Sequence, residues 1–318
     1  ADPDSSDAFS WKGTMNTLSY SGEGVVPLEM DASDMGKMLT DGFGFDGTMT
    51  YASGSGNMSG SGDGEDFAFA SSSQGGSLGI AMNAAHLAYD VAQKGIEMTV
   101  QTAELPFPVS LQLAETEFAI DMPIAKSDDE QPFAMKIKLG DFQVPEQLWS
   151  MVDPAGVLPR DPATVALDLA GKAKVLIDLF DPALAENPAA LSQTPGELNA
   201  VTVNDLLISA AGAKLTGTGD FPFDNTNTAA MGGMPAPAGT AKLQLVGANA
   251  LIDKLIKMGL VSDQDAMGAR MMMGLFTVPG EGEDSLTSKI EFTEEGVDLG
   301  AVEQQRHIEV RALRADLR

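Results

Sequence analysis

GTMTYASGSGNMSGSGDGEDFAF, residues 47–69, admits three readings: a flexible linker, a metal-binding loop, or part of a β-sheet. If the stretch is extended, alternate residues fall on one face. The even positions then read Ala52, Gly54, Gly56, Met58, Gly60, Gly62 and Gly64, an almost bare surface. The odd positions carry Met49 and Tyr51, then a polar run, before Phe67 and Phe69. A linker needs neither apolar anchors nor register, whereas two strands joined by a turn within residues 59–64 use both. The metal reading fails on spacing. Residues 62–67, GDGEDF, do not follow the EF-hand order, and Asp63 and Glu65 stand where a calcium nonapeptide needs Gly and Asp. The stretch is expected to be a thin hairpin with Tyr51 and Phe67 on the same side.

Working outward, apolar residues alternate through most of the chain. Leu78, Ile80 and Met82 share a face, as do Ile96, Met98 and Val100, then Val109, Leu111 and Leu113. Phe118, Ile120 and Met122 follow, then Phe133, Met135, Ile137 and Leu139. Gly- and Pro-containing or charged segments at 74–76, 93–95, 104–108 and 127–132 read as turns between these runs, which describes an antiparallel meander. The pattern resumes with Val165, Leu167 and Leu169, with Val175, Ile177 and Leu179, and with residues 207–224 and 285–292.

Helices are few. Residues 145–153 open with Pro in the first turn and are followed by Gly156. Residues 249–260 stack Leu251 on Leu255 and Ile252 on Ile256, with Gly259 as the stop. Ser262 begins a capping box, after which Met267, Met271 and Leu275 read as a buried helical stripe.

Composition narrows the function. The 46 acids against 19 bases give a formal charge of -27, which repels phosphate backbones and argues against nucleic-acid binding. The absence of cysteine excludes disulfides and thiolate metal sites, and fits an exported bacterial protein. No run of about 18 apolar residues marks a transmembrane helix, and residues 1–9 have no signal-peptide character, as expected of a mature or truncated chain. His86 and His307 stand in no triad or ligand spacing, and most carboxylates lie in solvated turns. The 18 methionines suit core filling and adaptable apolar surfaces better than copper ligation. No residue set meets nucleophile, base and oxyanion requirements together, so the expectation is a non-enzyme with no cofactor and no metal.

Two groups of segments carry a family resemblance. VNDLLISAAGAKLTGTGDFPFD, PAGTAKLQLVGANALIDKLIKMGLV and KIEFTEEGVDLG, within residues 203–300, resemble the C-terminal region of AsmA-like envelope proteins. PFPVSLQLAETEFAIDMPI, FQVPEQLWSMVDP and LPRDPATVALDLAGKAKVLIDLFDP extend a similarity, over residues of about 80–300, to an uncharacterised exported family of Gram-negative bacteria distantly related to AsmA. The resemblance implies a curved β-sheet carrying lipid chains on an apolar face, in the periplasm or cell envelope. The usual N-terminal membrane anchor is not seen in this chain.

The expected architecture is mainly β: a long curved antiparallel sheet, an AsmA-like half-open barrel or groove, with a few short helices. Residues 1–300 form one elongated domain, with Gly-rich hairpins at about 13–75 and the AsmA-like part at about 80–300, and 301–318 are a basic tail, helical or frayed. Candidate groove residues are Ile96, Met98, Val100, Leu111, Leu113, Phe118, Ile120, Met135 and Ile137. They would take lipid acyl chains or another apolar ligand. A closed core would read the same way from sequence. The second function class is an envelope assembly component that meets a protein partner through a sheet edge or the basic tail.

Overall fold

The computed structural model describes residues 8–29, 34–62, 65–180, 195–226, 235–293 and 296–299; the basic tail from 301 onward lies outside them. Strands β1 (Ala8–Asn16) and β2 (Ser19–Val25) precede helix α1 (Met35–Thr40). Then come β3 (Gly44–Tyr51), β4 (Ser53–Gly62), β5 (Glu65–Ser73), β6 (Gly76–Met82), β7 (His86–Thr102), β8 (Val109–Pro123) and β9 (Gln131–Phe142). Helix α2 (Glu146–Val152) leads to β10 (Ala163–Val175), β11 (Gly196–Ala210), β12 (Ala213–Asp224), β13 (Ala236–Pro237) and β14 (Gly239–Val246). Helices α3 (Ala248–Lys257) and α4 (Asp263–Phe276) separate these from β15 (Val278–Pro279), β16 (Ser285–Thr293) and β17 (Gly296–Leu299).

All pairings are antiparallel and nearly all join neighbours along the chain, so the fold is one long open meander, as the alternation predicts. Among the described residues no pairing joins the β1–β2 edge to β17, and the sheet is not closed. The glycine-rich stretch is a hairpin, with its reversal between Gly62 and Glu65. Strands β1 and β2 are two halves of one long strand, as are β3 with β4 and β5 with β6. Register runs through each break unchanged, from Gly54↔Ser73 to Tyr51↔Gly76 and from Ser72↔Glu97 to Gly76↔Gln93.

This corrects the reading of residues 74–76 and 93–95 as turns. They are interruptions inside strands, and they align. Thr17 (φ 53°), Gly75 (φ 108°), Gly95 (φ 53°) and Asp141 (φ 52°) lie in the left-handed region on a line crossing the sheet, joined by the bend at Ala52. Each interruption shifts the in/out alternation of its strand by one residue, because a left-handed residue does not continue the pleat. Tyr51 and Gly54, three apart, therefore share a side: the Tyr51 hydroxyl lies 3.1 Å from Ser73 Oγ, and Ser73 is the cross-strand partner of Gly54. Phe67, opposite Gly60, falls on that same side as expected. Tyr51 joins it only through the shift at Ala52, since unbroken alternation would separate it from the even-numbered glycines.

Helix α1 crosses one end of the sheet, where Gly36 meets the backbone of Phe180, the closely buried residues being Met38, Leu39, Ile124 and Val175. Strand β10 ends at Val175, so Ile177 and Leu179 are not strand residues. Among the described residues, the opposite end holds three more helices. Pro145 is the N-cap of α2, one residue earlier than expected. Ser262 caps α4 by accepting from the Asp265 N–H at 3.1 Å, and Gly259 at φ 74° ends the turn before it.

The predicted buried stripe of α4 is overturned. Met267, Met271 and Leu275 are 73%, 65% and 50% exposed. The opposite side packs inward: Ala266 is fully enclosed and Arg270 bonds to Asp253 and Asn249 of α3. Spacing identifies an amphipathic helix, but small and paired polar residues won the contact with α3.

After α2, Asp153 is almost completely buried and accepts from Val157 N–H (2.9 Å), Leu158 N–H (2.8 Å) and Arg160 Nη1 (2.7 Å). The Arg160 guanidinium also lies 4.5 Å from the Trp149 ring centroid. Burial pushes the Asp153 carboxyl up, but these donors outweigh it and hold its pKa at about 2.

Two outcomes follow. Gly95→Val forces a β-branched residue into the left-handed region and against the Gln74 side chain. It should cost about 1–3 kcal/mol in urea unfolding, and Gly95→Asn less. Asp153 is more acidic in the folded chain than at the unfolded value of about 3.9, so its contribution is present above pH 4 and lost as pH falls toward 2. Asp153→Asn should therefore be less stable at neutral pH yet decline less steeply between pH 4 and 2, read from Trp149 fluorescence.

Candidate functional site

Cross-strand partners share a face, so the register can be followed as ribs across the sheet. One rib runs Tyr20, Met49, Leu78, Val91, Phe118, Ile137, Leu167, Leu206, Gly217 and Leu243. The next runs Gly47, Ile80, Tyr89, Ile120, Met135, Leu169, Val203, Gly219, Ala241 and Ile290. A third links Leu139, Val165, Ile208, Leu215, Leu245 and Leu286. At about 4.8 Å per strand spacing, the longest of these extends roughly 43 Å.

On the far side of the interruption line a further apolar set forms. Ile96 pairs with Leu113, Met98 with Leu111, and Val100 with both Val109 and Phe69. The residues on either side of these strands have opposite parity in sequence, Val91 against Ile96 and Leu113 against Phe118. The shared phase shift brings them onto one face. All nine sequence-predicted groove residues thus lie on a single surface, the first five beyond the line and Phe118, Ile120, Met135 and Ile137 before it. Their burial differs: Ile96 and Leu113 are enclosed, whereas Phe118 is 41% exposed, with Leu139 at 45% on the neighbouring rib. Among the described residues no second sheet covers this surface, and each strand's main contacts are its in-sheet neighbours.

The bare glycine face is the floor of a cleft of about 540 Å³, lined by Trp11, Tyr51, Phe69, Ile96 and Met98 over Gly54 and Gly56. Glycine allows aromatic rings to lie flat on the sheet. A Cβ on Gly13 would stand 2.9 Å from the Trp11 ring, one on Gly54 3.2 Å from the Tyr51 ring, and one on Gly219 2.6 Å from the Phe221 ring. Phe221 packs edge-on against Phe292 at 5.5 Å, extending the same paving toward the other edge. Trp11, Tyr51 and Phe69 were not among the residues expected from sequence. For Trp11 the signal was an aromatic residue two positions from a glycine, Trp11–Gly13, as also in Phe45–Gly47 and Gly219–Phe221, the pairing by which aromatic rings cover strand glycines; Tyr51, three residues from Gly54, and Phe69 carry no such signal.

The reverse face is charged. Lys136 pairs with Glu117 at 3.0 Å, and Lys138 bonds to Glu115, which lowers the Glu115 pKa and raises that of Lys138. Asp168 accepts from Asn204 at 2.8 Å. His86 stands 3.2 Å from Asp121 near a strand end, partly exposed. Asp284 accepts from the Asn249 side chain and the N–H groups of Asn249 and Ala250 at the start of α3. Burial pushes its carboxyl up, and these donors with Arg270 bring it below the usual range. Its work is helix capping. Among the described residues no three His, Cys, Asp or Glu side chains gather to hold a metal ion, and no helix is long and apolar enough to cross a membrane.

No curated protein and no solved structure matches the chain. Residues 45–303, which contain the helical end and every rib residue except Tyr20, match the family DUF2125, described as an uncharacterised protein conserved in bacteria, and the chain belongs to that family.

Proposed function

We propose that this protein binds lipid acyl chains, or ligands of the same apolar linear shape, along the ribbed face of its sheet, without catalysis. The observation that carries the reading is the set of continuous apolar ribs on an open sheet whose reverse face is charged. Each methylene transferred from water to such a surface contributes about 0.8 kcal/mol. A long flexible chain matches a long shallow surface better than a compact ligand does. An AsmA-like role, with the sheet acting as an apolar track in the periplasm or cell envelope of a Gram-negative bacterium, agrees with this surface and with the acidic, cysteine-free composition.

A second reading is an envelope assembly component with no lipid ligand. It is favoured by the exposed methionines of α4 and by the unpaired edge of β1 and β2. Native mass spectrometry and lipid extraction of the purified protein separate the two: co-purifying acyl lipid supports the first, and its absence together with no binding of a fluorescent fatty acid removes it. The double variant Phe118→Glu/Ile137→Glu places carboxylates opposite each other in the central rib. It should weaken fatty-acid binding at least about tenfold while the circular dichroism spectrum is retained. Lys136→Gln, on the reverse face, should leave binding unchanged.

A further inference from the structure

The outer edge formed by β1 and β2 runs from Ala8 to Val25, and no described strand pairs with it. Exposed edges are normally kept short, bent away or guarded by charge and proline, because their free N–H and C=O groups recruit other strands. This edge has no proline and only two charges, Lys12 and Glu23. Phe9, Trp11, Met15, Leu18 and Tyr20 are all more than half exposed.

We propose that this edge pairs antiparallel with the same edge of a second copy, about a two-fold axis passing between Thr17 and Leu18. In this register Lys12 lies opposite Glu23 of the partner subunit, and the symmetry repeats the pair. Trp11 lies opposite a glycine at position 24, Met15 opposite Tyr20, Gly13 opposite Gly22, and Thr14 opposite Ser21.

Two independent features select this register. Glu23 already has Asp46 as its cross-strand neighbour within the sheet, and like charges directly opposite repel, so its open side calls for a cation. Lys12, whose inner neighbour is the neutral Asn57, supplies one. Registers displaced by two residues set Lys12 against Ser21 or Val25 and leave both charges unmatched.

The second feature is the phase shift at Thr17. A two-fold axis normal to the sheet keeps each face on its own side, so opposed residues must come from the same face. In an uninterrupted strand, residues 12 and 23 would point to opposite sides. Tyr20 pairs with Met49 on the ribbed face, and Met15 pairs with Gly54 on that same face although it is five residues away. Lys12 and Glu23 consequently share the charged face, and the rib starting at Tyr20 continues into Met15 of the partner subunit. The proposal does not depend on what the ribs bind.

The net charge of -27 on each copy opposes association at low ionic strength. The test therefore belongs at about 0.15 M salt, where charges beyond about 8 Å are screened. Sedimentation velocity over a concentration series should show a monomer–dimer equilibrium. Lys12→Glu and Glu23→Lys should each weaken dimerisation about tenfold, and the double variant K12E/E23K should restore it. In this cysteine-free chain, T14C/S21C should form a disulfide-linked dimer on oxidation. A monomer at all concentrations, open-ended oligomers, or a dimer indifferent to the single charge reversals would overturn the proposal; circular dichroism verifies that each variant is folded.

Discussion

Backbone register decides which residues meet in this protein, because nearly every strand touches only the two strands beside it. With one layer there is no opposing sheet to correct an error of one residue, and such an error would move every apolar side chain to the charged face. The interruption line is where that constraint is most severe. Thr17, Ala52, Gly75 and Gly95 each break the pleat of a different long strand, yet the pairing sums on the two sides agree, whereas beside Asp141 the register with β10 shifts by one between Ala163 and Val165. Strand β8 crosses the line near Ala114 with no left-handed residue and follows the shift of its neighbours through pairing that is unchanged on both sides. The shift is shared, so the apolar surface continues across it.

Much of this arrangement was legible in the sequence, and the limits have physical causes. Runs such as Phe133 to Leu139 identify strands and their faces because alternation against a charged partner set, Lys136 and Lys138, has no helical interpretation. Glycine at 75 and 95 was ambiguous, since positive φ serves both a reversal and an in-strand shift, and only the paired strands distinguish them. The parity change between Val91 and Ile96 was visible, but its meaning lay in the neighbours. The stripe of Met267, Met271 and Leu275 shows the same limit: amphipathicity gives a helix two sides without saying which one finds a partner. At the candidate surface, the nine chosen residues fall on one face, while Trp11 and Tyr51 were missed because their role depends on glycines beneath their rings, and Phe69 because its place in the cleft depends on the strands beside it.

The helical end shows how local bonds secure what the sheet cannot. Asp153 gathers two backbone donors and Arg160 after α2, and Asp284 reaches from the start of β16 to satisfy the first turn of α3. Gly247, the N-cap of α3, has no side chain to do so itself. Acidic residues thus complete two of the connections between long strands, beyond any part they play in overall charge.

The meander has one more consequence, for how the molecule comes apart. Because strands interact mainly with neighbours in the chain, the sheet is quasi-one-dimensional, in the manner of repeat proteins, and its stability is approximately a sum of strand and interface contributions. Loss of an outermost strand removes one interface and leaves the remainder intact. The sheet therefore has a natural order of opening, inward from its two edges, in which the β8–β9–β10 centre holds longest, and added or deleted hairpins change the length of the apolar track without altering its cross-section.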